Sequence, residues 1–227
     1  MAMKQFTVTK NIELTHDVYE IHFETESPID MDYGQFVTFI LPGIGGRSYS
    51  VLEAVWNTIK LIIKKVELSD SGRWGSIFIC DSKLWDTLQW VGPAGHFVLQ
   101  RNEKNKLFIG TGTGLVPLYN QILWANKLNM NCEMKMLFWA RRENDLFYID
   151  ELNKLSEKDN FSYQVYTSRE KVWNHHEWYV TLYLTEENIK NFEEFYICGM
   201  PAMVDACVEK LTELWVHKES IFSEKYT

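Results

Sequence analysis

The polar run Arg101-Asn102-Glu103-Lys104-Asn105-Lys106 separates two hydrophobic rhythms, and that change of rhythm constrains the fold more than any other feature of the chain. Before it, apolar residues come in short runs: KQFTVTK, VYEIHFET, FVTFIL, RSYSVL and IKLIIKKVEL. These runs are rich in β-branched and aromatic residues, which suit a pleated, half-buried surface. Turn clusters such as SPIDMDYG and LPGIGG divide them. Short strands joined by glycine-rich turns point to a small antiparallel barrel. One short helix is expected to interrupt it at GSIFICDS. After the polar run, KLFIG, EMKMLFWA, FSYQVYT and FYICG read as strands, whereas LVPLYNQILWANKLN, DELNKLSEK and AMVDACVEKLTEL read as helices. Strands alternating with helices demand a parallel sheet covered on both faces. The expected division is a barrel domain over residues 1–100 and an α/β domain over residues 106–227.

Composition narrows the function classes. The net charge of −8 disfavours nucleic acid and anionic membrane surfaces, both of which require a basic face. No apolar run approaches the length of a bilayer-spanning helix, and the start MAMKQFTVTK lacks the apolar core of a secretory signal. Cys80, Cys132, Cys198 and Cys207 are scattered, with no C-x-x-C pair, so a zinc site or an iron–sulfur cluster is not expected. Adjacent His175 and His176 point apart on a chain and make a poor metal pair. Four isolated cysteines without a signal fit a reducing cytoplasm.

Three stretches carry candidate chemistry. In Gly110-Thr-Gly-Thr-Gly-Leu-Val-Pro117, glycines follow a strand and open a helix. Glycine lets backbone approach a pyrophosphate, and the helix start offers unpaired N–H groups. Pro117 is tolerated in that first turn, where its missing N–H costs nothing. In open α/β sheets ligands bind beyond the carboxyl ends of the strands, so this turn and Cys198-Gly199-Met200-Pro201, which follows FYI, can face one ligand. In Arg47-Ser48-Tyr49-Ser50, arginine can hold a phosphate through paired hydrogen bonds. Tyr49 shares its strand face and Ser50 points the other way.

Seven stretches in this order resemble the motifs of the ferredoxin–NADP⁺ reductase superfamily of flavin-dependent oxidoreductases, through nearly the whole chain. Arg47-Ser48-Tyr49-Ser50 is similar to its R-x-Y-S flavin motif, and Gly72-Arg73-Trp74-Gly75-Ser76 to the loop that opens a helix onto the flavin phosphates. Gly92-Pro93-Ala94-Gly95-His96-Phe97 resembles its G-P-x-G-x-F turn, and Gly112-Thr113-Gly114-Leu115-Val116-Pro117 its G-T-G-I-A-P nucleotide turn. Ala140-Arg141 with Asp145, Leu146 and Glu151-Leu152 resembles A-R-x-x-x-D-L followed by E-L. Cys198-Gly199-Met200-Pro201-Ala202-Met203 resembles C-G-x-P-x-M, and Ile221 to Tyr226 the I-x-x-E-x-aromatic ending. The chain departs from the pattern at three places. Trp139 stands where Gly or Tyr is usual, Trp85 replaces the Gly of a G-D-T turn, and residues 173–180 lack the W-x-G-x-x-G spacing.

The resemblance implies a six-stranded antiparallel flavin-binding barrel followed by a parallel-sheet NAD(P)-binding domain. It implies FAD, with FMN as the alternative because SGRWGS also resembles a G-R-G-G-S loop, and NADPH or NADH as hydride donor. Arg47 would anchor a flavin phosphate, assisted by Ser48 and by the backbone of Gly72, Gly75 and Ser76. Tyr49 and Tyr226 would pack on the flavin, and Ser50 would hydrogen-bond near its N5. Gly112, Thr113, Gly114 and Pro117, with Arg141, would hold the nicotinamide nucleotide. Cys198, Gly199, Met200 and Pro201 would lie at its nicotinamide end, and Glu224 would polarise or protonate there. Ser50, Cys198 and Glu224 are thus the expected catalytic residues, with no metal. At the strand end Ser168-Arg169 a hydroxyl and a guanidinium stand where an acidic residue would repel a 2′-phosphate, which favours NADPH. Electrons would leave for a separate protein, most readily a ferredoxin or flavodoxin. The alternatives are a flavin reductase and an electron-transfer subunit of a larger complex. Lys60, Lys64, Lys65, Lys104 and Lys106 are the candidates for a basic docking patch.

Overall fold

The computed structural model describes residues 4–66, 74–172 and 175–226. The chain divides into two compact units, Met1–Leu99 with Tyr119–Gln121, and Gln100–Leu118 with Ile122–Thr227.

The first unit is a closed barrel of β1 (Lys4–Thr15), β2 (Val18–Glu24), β3 (Phe36–Leu41), β4 (Gly45–Val55), β5 (Thr58–Lys64) and β6 (Thr87–Ala94). Its order is β1-β2-β5-β4-β3-β6, and every neighbouring pair is antiparallel. Alternation explains the core: Phe6 and Val8, Ile21 and Phe23, Val37 and Phe39, Ile59 and Leu61 all point inward and are fully buried. Phe6 stacks on Trp90 of β6 with ring centroids 4.2 Å apart. Helix α1 (Gly75–Cys80) adds Ile79 and Cys80 to the same core. Strand β6 has no separate signal among the apolar runs.

The second unit is a six-stranded parallel sheet. Its strands are β7 (Lys106–Thr111), β8 (Met134–Ala140), β9 (Phe161–Thr167), β10 (His176–Glu177), β11 (Glu194–Gly199) and β12 (Ile221–Lys225), in the order β10-β9-β8-β7-β11-β12. The helices are α2 (Leu115–Lys127), α3 (Ile149–Ser156), α4 (Glu186–Ile189) and α5 (Pro201–Glu213). Leu107, Ile109, Leu137, Phe195 and Ile197 face α5, packing on Met203, Val204, Cys207 and Leu211. The other face receives α2: a side chain at Gly110 would strike Met136 and Leu118. Both faces are therefore covered, as the strand–helix alternation requires. The order reverses direction between β7 and β11, which makes the ends of those two strands the switch point where such sheets bind ligands. Among the described residues no helix is long and apolar enough to cross a membrane.

The opposite end of the sheet is closed by a buried polar knot. Lys106 and Glu194 are register partners on β7 and β11, with 0% and 4% of their side chains exposed, and their charged atoms lie 3.3 Å apart. Glu194 also accepts from Asn102 Nδ2 at 2.6 Å and from the Tyr196 hydroxyl at 2.9 Å. Lys106 Nζ donates to Lys104 O and to Asn102 Oδ1. This corrects the reading of Lys106 as a linker or docking residue: it is structural. The other candidate docking lysines at the barrel are neutralised locally, Lys60 by Glu53, Lys64 by Asp17 and Lys65 by Asp81.

Among the described residues four tryptophans occupy left-handed backbone positions, which glycine fills most easily: Trp56, Trp85, Trp178 and Trp215, with φ of 57°, 75°, 80° and 61°. Trp85 is the position where the sequence replaces an expected glycine.

Candidate functional site

The expected site residues fall into three groups. The first lies on the barrel. Arg47, Tyr49 and Val51 share the inner side of β4, opposite Phe39, Val37 and Leu61 on the neighbouring strands. Tyr49 packs edge-on against Phe39 at 6.0 Å, and burial raises its hydroxyl pKa well above the ordinary value. Arg47 Nη1 donates to Gly46 O at 2.6 Å, but its Nε is buried with no partner among the described residues. Gly75 presses on that side chain: a Cβ there would lie 2.5 Å from Arg47 Cγ and 3.2 Å from Nε. A guanidinium whose Nε is buried and unpartnered among the described residues, beside a glycine, is a site short of an anion, because an arginine N–H out of water needs an acceptor. The residues present therefore fit a phosphate-bearing group.

Ser48 and Ser50 point the other way. Ser48 shares a hydrogen bond with Thr38 at 2.9 Å, and Ser50 is buried. Ser76 Oγ accepts from Val66 N–H at 3.1 Å, so part of its capacity holds the chain in front of α1. Gly72 lies outside the described residues.

The second group is at the switch point of the sheet. Gly112, Thr113 and Gly114 form a single 3₁₀ turn that runs into α2, with Pro117 buried in its first turn. Gly112 has φ of +52° and nothing within 4 Å of a would-be Cβ, so the backbone there is open to a ligand. Gly114 has no such room: its Cβ would sit 2.3 Å from Cys198 O. Gly199, φ +139°, is equally tight, since its Cβ would sit 2.2 Å from Thr111 Oγ1. The two glycine turns thus interlock, and Met200 N–H donates to Thr111 Oγ1 at 3.1 Å. Met200 remains exposed, ahead of Pro201 at the first position of α5.

Strand register builds the rest of this group. Phe108, Tyr196 and Phe222 are neighbours across β7, β11 and β12, and their rings stack at 5.1 and 4.8 Å. Two residues further along, Gly110, Cys198 and Glu224 are neighbours on the same face. Cys198 is fully buried. Burial pushes its thiol well up, the Glu224 charge pushes it further, and a hydrogen bond with Tyr226 pulls it back. Tyr226 N–H donates to Gly199 O at 2.9 Å, which ties the chain's last described residue to the turn. Cys198 is accordingly a protonated thiol rather than a nucleophile.

The third group lies at the ends of β8 and β9. Ser168 and Arg169 donate backbone N–H bonds to Ala140 O and Arg141 O at 3.3 and 2.9 Å. Glu170 is turned away, its carboxylate accepting Glu143 N–H at 2.9 Å. Lys171 pairs with Glu177 and Arg141 with Asp145. Among the described residues Arg169 has no ion-pair partner. Trp139, next to last in β8, lies beside Thr111 in register, and its Nε1 is buried without a partner among the described residues.

Sequence reasoning does not single out Thr111. Its signal, a threonine before Gly112, is weak, because its partner Met200 is 89 residues away.

Comparison with known proteins agrees with this fold. Residues 108–209 match the family described as the oxidoreductase NAD-binding domain. The chain is 31% identical over 162 residues to a subunit of the Na⁺-translocating NADH-quinone reductase of Haemophilus ducreyi, a match covering 66% of this chain and 39% of that one. It therefore spans about two fifths of the length of the curated relatives it matches. Among solved structures it is similar to a cytochrome P450 reductase of Amycolatopsis, with a TM-score of 0.89 and 22% identity, covering 100% of this chain and 70% of that one. It is also similar to a ferredoxin NADP⁺ reductase of Neisseria gonorrhoeae crystallised with FAD and NADP, with a TM-score of 0.85 and 18% identity, covering 99% of each chain. These structural likenesses establish the fold.

Proposed function

We propose that the chain is a member of the ferredoxin–NADP⁺ reductase superfamily of NAD(P)H oxidoreductases, and that it carries FAD, takes hydride from NADPH, and passes electrons to a separate redox protein in the cytoplasm. The observation that carries the flavin is the buried Arg47 Nε against Gly75, without a partner among the described residues. A bound flavin supplies the chemistry of accepting a hydride and releasing its electrons singly. The chain's residues bind and orient. Arg47 holds a flavin phosphate by charge-assisted hydrogen bonds. Ser50 supplies a hydroxyl that can donate or accept at the flavin ring. Tyr49 offers aromatic surface to that cofactor.

On the sheet, the open backbone of Gly112 and the N-terminus of the 13-residue α2 receive the nucleotide pyrophosphate. Cys198 and Met200 border the nicotinamide end, where a neutral thiol presents no charge to repel the donor's electron pair. Glu224, its register partner on β12, sets a carboxylate beside Cys198. Arg169, with Glu170 bonded elsewhere, receives the 2′-phosphate, and this is what favours NADPH over NADH.

The acceptor is read as a ferredoxin or flavodoxin by family likeness. The local pairing of Lys60, Lys64 and Lys65 removes the basic patch as support for an acidic partner. A second reading, a reductase subunit of a larger complex, is favoured by the relatives, which are named as one subunit of an NADH-quinone reductase. The test is anaerobic. The purified protein is reconstituted with FAD, mixed with NADPH and with NADH, and then offered ferredoxin, flavodoxin, free flavin and a quinone in turn. Bleaching of the flavin by nucleotide, followed by reoxidation by a protein acceptor, is the expected result. Failure to bind FAD or FMN, or no bleaching by either nucleotide, refutes the proposal. Reoxidation only by quinone, and only with co-purified subunits, supports the second reading.

A further inference from the structure

The interlocked turns at the end of the sheet raise a question that the nucleotide site itself does not answer. A diphosphate bound at Gly112–Gly114 and a nicotinamide bordered by Cys198 and Met200 are held by two separate turns. Something must fix the distance between them. We infer that Thr111 is the positioning residue that does so, an inference that rests on the nucleotide site proposed above.

Three observations converge. Thr111 is the last residue of β7, in extended backbone with φ of −125°, and only 6% exposed. Side chains alternate along a strand, so its hydroxyl projects to the α5 face with Leu107 and Ile109, directly beneath the Gly199–Met200 turn. There its Oγ1 accepts Met200 N–H at 3.1 Å. Met200 is the residue on which α5 starts, and no side chain caps that helix from within its own segment. The strand at the centre of the sheet thus supplies the acceptor that sets where α5 and its preceding turn begin.

The fit leaves no slack. A Cβ on Gly199 would lie 2.2 Å from the same Oγ1, and one on Gly114 would lie 2.3 Å from Cys198 O. Thr111 therefore fixes the turn twice, by a hydrogen bond to Met200 and by contact with Gly199. It belongs to the strand that leads into the pyrophosphate turn without an intervening residue. A displacement of the Met200 turn moves the nicotinamide border relative to the phosphate border and leaves each half intact. Such a displacement raises the barrier for hydride transfer more than it weakens binding, because transfer needs the reacting atoms within about 3–3.5 Å.

The test uses the flavin-loaded protein and Thr111→Val, which keeps the shape and removes the acceptor. Stopped-flow reduction by NADPH is expected to slow about 10-fold or more at saturating nucleotide, as a misplacement approaching 1 Å can cost more still. Binding of NADP⁺, measured by calorimetry, is expected to change less than about 3-fold, since the phosphate contacts remain. Amide hydrogen exchange at Met200 is expected to accelerate in Thr111→Val, with Ile109 and Ile197 still protected. Thr111→Ser, which keeps the oxygen, is expected to restore both the rate and the protection. If Thr111→Val does not fold, Thr111→Cys replaces it, with a weaker acceptor at the same branch, and slower reduction is again expected. Wild-type reduction rates in either variant overturn the inference. So does a loss shared equally by rate and binding, or one that Thr111→Ser does not restore. A wild-type protein reduced by neither nucleotide overturns the proposed function, and this inference falls with it. Reduction of the wild type with unchanged kinetics in the variants overturns the inference alone.

Discussion

Replacing Gly75 by alanine should weaken flavin binding as much as removing Arg47, although Gly75 carries no functional group. The added Cβ would lie 2.5 Å from Arg47 Cγ, 3.1 Å from Cδ and 3.2 Å from Nε. Carbon atoms rest about 3.5–4.0 Å apart, so Cγ must retreat by about 1 Å. The guanidinium moves with it, and a hydrogen bond lengthened from about 2.9 Å by that amount is no longer one. The loss is then that of a hydrogen bond to a charged group, about 1.5–3 kcal/mol, or roughly 10- to 150-fold in the dissociation constant. Arg47→Ala should cost the same. The double substitution should cost no more than Arg47→Ala alone, because once the arginine side chain is truncated the methyl group added at position 75 has nothing to displace. That non-additivity is the signature of the mechanism, as residues acting through one contact do not add. The assay is titration of FAD into flavin-free protein, followed by quenching of flavin fluorescence, for the wild type, both single variants and the double variant. Wild-type affinity in Gly75→Ala, or two losses that sum in the double variant, would refute the reasoning.

Three further outcomes are expected. Lys106→Met leaves Glu194 buried without its cation and should destabilise the protein by about 3–5 kcal/mol in urea unfolding, whereas Lys106→Met with Glu194→Leu should recover most of that loss. A double variant no better than the single one speaks against the buried pair as the cause. Stability should fall above about pH 8.5, by roughly 1.4 kcal/mol per pH unit for each thiol. The folded Cys80 and Cys207 thiols, pushed up to about 12 by burial, and Cys198, also raised well above the ordinary value by burial, stay protonated, while the unfolded chain releases those protons. Equal urea midpoints at pH 8 and pH 10 would contradict this. Arg169→Ala should reduce kcat/KM for NADPH by about 10- to 150-fold and leave NADH nearly unchanged, as expected for the loss of a charged hydrogen bond; equal losses for both nucleotides would remove Arg169 from the 2′-phosphate.

The parts of this fold that are legible in sequence are those whose cause is local. The inward-facing alternation of β2, β3 and β5 and the apolar stripes of α2 and α5 follow from periodicity alone. The glycines at 112, 114 and 199 are legible for the same reason, since each answers a demand for close approach or for a left-handed backbone. Strand β6 is not, because in TLQWVGPA only Leu88 and Trp90 are buried and Pro93 falls within the run. Strand β12 reads as a solvated tail because three of its five residues are polar, and it becomes a strand only beside β11. Lys106 misleads for a sharper reason. A lysine after a polar run looks exposed, and the carboxylate of Glu194, distant along the chain, helps make its full burial tolerable. Thr111 is silent in the same way, as its hydrogen bond is a property of two strand ends meeting.

The left-handed tryptophans have a consequence for anyone who handles the protein. Trp56, Trp85, Trp178 and Trp215 are 73%, 75%, 63% and 88% exposed, and they are four of the nine indoles in the chain. Trp90, by contrast, is sealed inside the barrel against Phe6. Ultraviolet emission from this chain therefore comes in large part from turn tips already in water. Such indoles scarcely change surroundings when the barrel opens, so their colour shift understates unfolding. They are also open to quenchers in the native state. A signal that would be a core thermometer in most proteins is here a probe of the surface.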